Sequence, residues 1–180
     1  GGFSIVAKSL KDAKSSQTGP KFYLDTVEET LTTRTELIKV KNKAISELQG
    51  LFDSNTTKLM YISKVVDADS VQYTTNTPND ILYENMDAFI HGEGHDRNER
   101  RSAERFLASS RLSMEDLKLK AILTDAAAYS IISTKSDGWI YFGSVKMGKT
   151  NEHCLEWLKN PLNEENLMGL LSQIEYYWNM

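Results

Sequence analysis

Between residues 22 and 49, apolar side chains recur at intervals of three and four: Leu24, Val27, Leu31, Ile38, Ile45 and Leu48. Leu37, Val40 and Ala44 widen the face in its second half. That spacing predicts a long amphipathic helix with Gly50 as its stop. Arg34 and Lys41 fall on the same stripe and spoil a strict coiled-coil seam, so the helix is expected to pack on its own domain. Ahead of it, Ser15, Ser16, Gln17 and Thr18 are followed by two breakers, Gly19 and Pro20. This marks residues 1–20 as a flexible arm and residues 21–180 as one domain.

The segment from Leu59 to Val66 fits neither period cleanly. Its β-branched content favours a strand, although Leu59, Ile62 and Val66 also fit a helix. With Val71 to Thr75 as a partner, it gives a second hairpin at about residues 58–75. After Asn76-Thr77-Pro78-Asn79, Asp80 is expected to cap a helix carrying Ile81, Leu82, Met86, Phe89 and Ile90, stopped by Gly92. Another helix is expected from Asp96 to Ser110. Ser113 and Asp116 make a capping box for a third, with Leu117, Ala121 and Ile122 as its buried stripe. Tyr129 to Thr134 and Trp139 to Val145 flank Lys135-Ser136-Asp137-Gly138, where the Asp-Gly pair tolerates the positive φ of a hairpin turn. Residues 152–159 and 164–178 form a closing helical pair around the break at Asn160-Pro161. The expected fold is therefore α+β: a predominantly helical single domain with one antiparallel hairpin at about residues 129–145, and a C-terminal helical segment, 150–180, packed on it.

Composition narrows the function classes. The 180 residues carry a formal net charge of −4, which argues against a wholly basic coat for nucleic acid or anionic lipid. Charge is unevenly spread: residues 51–96 hold eight acidic and two basic side chains, residues 97–149 ten basic and six acidic. The lone cysteine, Cys154, excludes an internal disulfide, so a reducing intracellular compartment such as the cytoplasm is expected. No apolar run is long enough to span a bilayer and no leader is recognisable, so a soluble protein with no membrane partner is expected.

Five of the six arginines, Arg97, Arg100, Arg101, Arg105 and Arg111, lie within fifteen residues. Helical spacing would line up Arg97, Arg101 and Arg105 as a cationic ridge. Because the planar guanidinium grips phosphate or carboxylate with two parallel hydrogen bonds, the enrichment points to an anionic surface, either nucleic acid or an acidic protein. Glu99 and Glu104 sit among these arginines, so intrahelical ion pairs compete with that reading. A non-enzymatic binding and assembly protein is the leading expectation.

Two other patterns carry chemistry. Gly143 to Thr150 fits the phosphate-loop pattern, with Gly143, Gly148, Lys149 and Thr150 in the roles that would hold Mg-NTP. The strand entering it is the second arm of a hairpin and no downstream metal-binding Asp is visible, so a hairpin exit followed by a helix cap is the preferred reading. His91, Glu93 and His95 alternate as metal ligands would on an extended segment, the third-ranked possibility being a metal-dependent enzyme. Tyr176, Tyr177 and Trp178 are too apolar to leave in water; they close the core or anchor a protein interface, including self-association into a homo-oligomer.

Overall fold

The computed structural model describes residues 18–94 and 97–180, with side-chain surroundings from residue 30 onward. Among these the order is α1 (Thr18–Ser54), α2 (Thr56–Val66), a 3-10 turn (Ser70–Gln72), α3 (Asn79–Ile90), α4 (Glu99–Ser110) and α5 (Met114–Ala128). A small sheet follows, β1 (Ile132–Thr134), β2 (Ile140–Phe142) and β3 (Val145–Gly148), then α6 (Asn151–Lys159), a second 3-10 turn (Pro161–Asn163) and α7 (Glu164–Trp178). This is the expected predominantly helical α+β architecture with its C-terminal helical pair. The chain divides into two units, Gly1–Val40 and Lys41–Met180. The expected arm falls largely outside the described residues; Thr18, Gly19 and Pro20 already belong to α1, where a proline in the first turn leaves no hydrogen bond unmade.

The expected strand at Leu59–Val66 is corrected to helix α2. Asn55 caps it by accepting from the Lys58 N–H at 3.0 Å, and Leu59, Met60, Tyr61, Ile62, Ser63, Lys64 and Val66 are buried. Burial on nearly every side makes α2 a central helix, which erases the one-sided periodicity that a sequence reading relies on. The second hairpin therefore does not form. Its other arm, Val71 to Thr75, begins in the Ser70–Gln72 turn, and Lys64 rather than a partner strand bonds the backbone carbonyls of Ser70 and Tyr73. Gly50 does not stop α1 either: the space around it is open, the helix runs on to Ser54, and Asn55 begins the next element.

Within Lys41–Met180, α2 packs against α3, α4 and α5, and α5 also meets α6, α7 and β1. The centre of this unit is a charged pair. Lys64 and Asp125 are fully buried, with Nζ to Oδ2 at 2.6 Å. Lys64 donates also to the carbonyls of Ser70, at 3.2 Å, and of Tyr73. Asp125 accepts in addition from Ser70 Oγ and from the Trp178 indole N–H, each at 2.6 Å. Burial pulls the Lys64 ammonium below the usual lysine range, opposed by its bond to Asp125. All three ammonium hydrogens have acceptors, the condition under which a buried charge can be tolerated. Tyr73, also fully buried, donates its hydroxyl to Asp67 at 2.5 Å; burial first, and that carboxylate second, push its ionisation far above the phenol range.

The expected hairpin is present and extended by one strand. β1 and β2 pair antiparallel with Ile132, Ser133 and Thr134 opposite Phe142, Tyr141 and Ile140. Gly138 adopts φ +82° in the turn, as the Asp-Gly pair requires. β3 returns antiparallel, placing Lys146 opposite Tyr141 and Val145 opposite Phe142, with an irregularity at Ile140/Tyr141.

Candidate functional site

The arginine-rich segment folds as a helix that starts later than its charge pattern suggests. Asn98 is the cap, its side chain accepting from the Arg101 N–H at 2.9 Å, so Arg97 precedes the helix. Ser102, Ala103, Phe106 and Leu107 form the buried face, while Arg100, Arg101, Glu104 and Arg105 are exposed. Arg97, Arg100 and Arg101 thus gather at the N-terminal end of α4. Two cations in a first helical turn oppose the helix dipole, and the acidic neighbours soften this. Arg100 Nε meets Glu104 at 3.1 Å, and Glu99 is bonded by Lys41 at 2.6 Å, which holds its carboxyl below the usual range.

The other two arginines stand apart. Arg105 reaches back to the Val66 carbonyl at 3.0 Å and lies 5.5 Å from the Phe89 ring centre, so it binds α4 to the end of α2 and to α3. The expected ridge of Arg97, Arg101 and Arg105 is therefore not continuous. Arg111 is the C-cap of α4, about 15 Å along the axis from Arg101, where a cation is favoured by the dipole.

The residues of the phosphate-loop pattern are divided among a turn, strand β3 and the lead into α6. Gly143 adopts φ +62° in the turn between β2 and β3. Residues from Val145 to Gly148 are strand, so their backbone is extended along β2 rather than wrapped around an anion. At Gly148 a Cβ would stand 2.7 Å from His153 Cβ and 3.1 Å from Cys154 N, so α6 passes too close for any side chain. Lys149 Nζ lies 5.6 Å from the Trp139 ring centre, and Thr150 caps α6 by accepting from the His153 N–H at 3.2 Å.

His91 closes α3, its Nδ1 lying 2.8 Å from the Asp87 carbonyl; Glu93 is exposed, and His95 lies outside the described residues. Among the described residues, no group of three His, Cys, Asp or Glu side chains is arranged to hold a metal. In the aromatic cluster near residue 178 the three members separate. Trp178 is buried against Asp125 and Tyr61, Tyr177 stacks on Tyr129 with ring centres 3.9 Å apart, and Tyr176 is 68% exposed. A cleft of about 380 Å³ between α5, α6 and α7 has apolar walls of Leu119, Ile122, Leu158 and Leu171 and a rim of Glu115, Lys118, Lys159 and Glu164. Among the described residues, no helix is long and apolar enough to cross a membrane.

The sequence reading passed over a basic and aromatic surface on the sheet. Tyr141 is flanked across the strands by Ser133 and Lys146. Lys135 Nζ lies 4.2 Å from the Tyr141 ring centre, and Lys146 Nζ 4.9 Å from that of Trp139. The alternation of lysine and aromatic residues around the Asp-Gly turn was the available signal. No protein-family model, curated protein or solved structure matches the chain.

Proposed function

We propose that this chain is a non-enzymatic binding protein that contacts nucleic-acid phosphate through Arg97, Arg100 and Arg101. The observation behind this reading is their position: three exposed guanidiniums within five residues, at the helix end where cations weaken the helix. A cluster placed only for stability belongs at the other end, as Arg111 is. Guanidiniums beside the positive pole of a helix attract phosphate, and their forked geometry suits its oxygens.

A labelled duplex oligonucleotide titrated over a salt series tests this. A phosphate-binding face must lose affinity steeply as salt rises, and each arginine replaced by alanine should lower the salt slope by about one unit. Unaltered binding in an R97A/R100A/R101A variant would sink the nucleic-acid reading. Retained binding to an acidic protein by the wild type alone would assign the face to a protein partner.

Assembly is a second reading, supported by α1. Leu31 and Ile38 are 55% and 56% exposed and stand seven residues apart on one stripe. A second copy of the helix would cover them. Sedimentation equilibrium of the wild type and of an L31E/I38E variant tests it: only the wild type should self-associate.

A further inference from the structure

The sheet divides its residues by face. Ile132, Phe142 and Val145 lie in one row, with Ile132 buried and Phe142 approaching Gly169 of α7. That row looks inward. The row on the other face is Ser133, Tyr141 and Lys146, with Ser133 and Lys146 exposed and Tyr141 half-buried. Trp139, half-buried at the entrance of β2, continues this outer face, and exposed Lys135 and Lys149 reach it from either side.

Two properties of the surface fit one ligand chemistry. The first is charge. Three ammoniums converge on two rings, two of them on Trp139, and Asp137 is the carboxylate bonded there, with Lys146 at 3.8 Å. Ring faces attract cations, but two ammoniums over one indole repel each other, so an arriving anion relieves the crowding. The second is rigidity. Asp137 accepts from the Trp139 backbone N–H at 3.0 Å and from the Tyr141 hydroxyl at 2.7 Å, so one carboxylate fixes the turn and the orientation of the tyrosine ring. Lysines on flexible stems can exchange a ring for a phosphate while the rings stay in place. Flat, oriented rings beside mobile ammoniums are what stacked bases joined by phosphates require.

We propose that the outer face of this sheet binds single-stranded nucleic acid, with bases stacking on Trp139 and Tyr141 and phosphates paired by Lys135, Lys146 and Lys149. This surface is separate from the arginine cluster and does not depend on it. A duplex keeps its bases stacked on each other and offers only phosphate, so the sheet favours single strands.

Indole fluorescence tests the proposal on the full chain. Oligo-dT and oligo-rU of about ten nucleotides should quench emission at low salt, because stacked bases quench a ring they cover. The same quench by both makes the site one for any single strand; quench by one alone places its preference in the sugar or in the thymine methyl, which oligo-dU separates. A W139F variant should keep binding but lose most of the quench, whereas W157F, at the other half-buried indole, should keep it; Trp178 is buried in the core. W139A should weaken single-strand binding by about fivefold or more. K146A/K149A, at two exposed positions, should weaken it and flatten its salt dependence while leaving the fold intact. The R97A/R100A/R101A variant should leave the quench unchanged. No quench at any salt, an undiminished quench in W139F, or single strands bound as tightly by W139A as by the wild type would overturn the assignment. If K146A/K149A binds single strands like the wild type and only the arginine variant is impaired, the sheet proposal fails while the α4 reading stands.

Discussion

Trp178, in the last turn of α7, donates its indole N–H to Asp125 Oδ2 at 2.6 Å, the same oxygen that receives the Lys64 ammonium. One carboxylate thereby joins α2, the Ser70–Gln72 turn, α5 and α7. Replacing Trp178 with Phe keeps most of the ring but removes a hydrogen bond to a charged group, which should cost about 1.5–3 kcal/mol in urea unfolding. Replacing Lys64 with Met leaves Asp125 buried without its cation and should cost about 3–5 kcal/mol. A K64M/D125L double variant should be less destabilised than the sum of its single changes, because the second substitution removes the stranded charge.

Gly148 should tolerate no side chain. G148A forces a methyl group against His153 and the α6 backbone, and a loss of about 1–3 kcal/mol is expected. Mg-ATP or Mg-GTP should leave Tm unchanged in the wild type, because the octet that matches the phosphate-loop pattern is occupied by a turn, a strand and a helix cap. A shift of several degrees that a K149A variant abolishes would show that the strand can open for a nucleotide.

Arg105 and its neighbours should separate by assay. R105A removes the bond to Val66 O and the contact with Phe89, and a loss of about 1 kcal/mol is expected. R97A, which precedes the helix, should be close to neutral in stability, and R97A and R101A should both weaken ligand binding. A destabilisation shared by all three would mean that the cluster serves the fold.

The Cys154 thiol should be inert. It is fully buried, and burial pushes its ionisation up, so both access and thiolate fraction are low. Aromatic disulfide reagents should label it in denaturant at least a hundredfold faster, about the ratio expected for a group reached only through rare opening.

Acid should loosen the hairpin turn through Asp137. The Trp139 N–H first, then the Tyr141 hydroxyl, hold its carboxyl below the ordinary value of 3.8. A depressed folded value means that the unfolded chain binds the proton more readily, so the contribution is present above 3.8 and is lost as pH falls through the lower folded value. Carboxyl carbon shifts across an acid titration would report it, and D137N should abolish the transition.

The elements that could be read from sequence are those whose signals are local. Asp137-Gly138 announces its turn, Ser113 caps α5 by accepting from the Asp116 N–H at 3.2 Å, and residues 164–178 keep a one-sided apolar stripe. Helix α2 could not be read this way, because Lys64 interrupts an apolar run and its partner, Asp125, is sixty-one residues away. A buried lysine and an exposed one are spelled alike. The same holds for the arginines: spacing placed Arg105 on a ridge with Arg101, but the acceptor that turns it inward is a backbone carbonyl at Val66, which no side-chain pattern encodes. The stacked pair of Tyr129 and Tyr177, and the ammoniums over Trp139, likewise depend on chain segments brought together only by folding.

The shared oxygen of Asp125 also governs how the helices are put together. Until α7 arrives, a carboxylate inside α5 lacks one of its donors, and until α2 arrives it lacks its counterion. Neither shorter assembly is a comfortable resting point, so α2, α5 and α7 should melt and reform as a single cooperative block, with their slowest-exchanging amides sharing one opening energy.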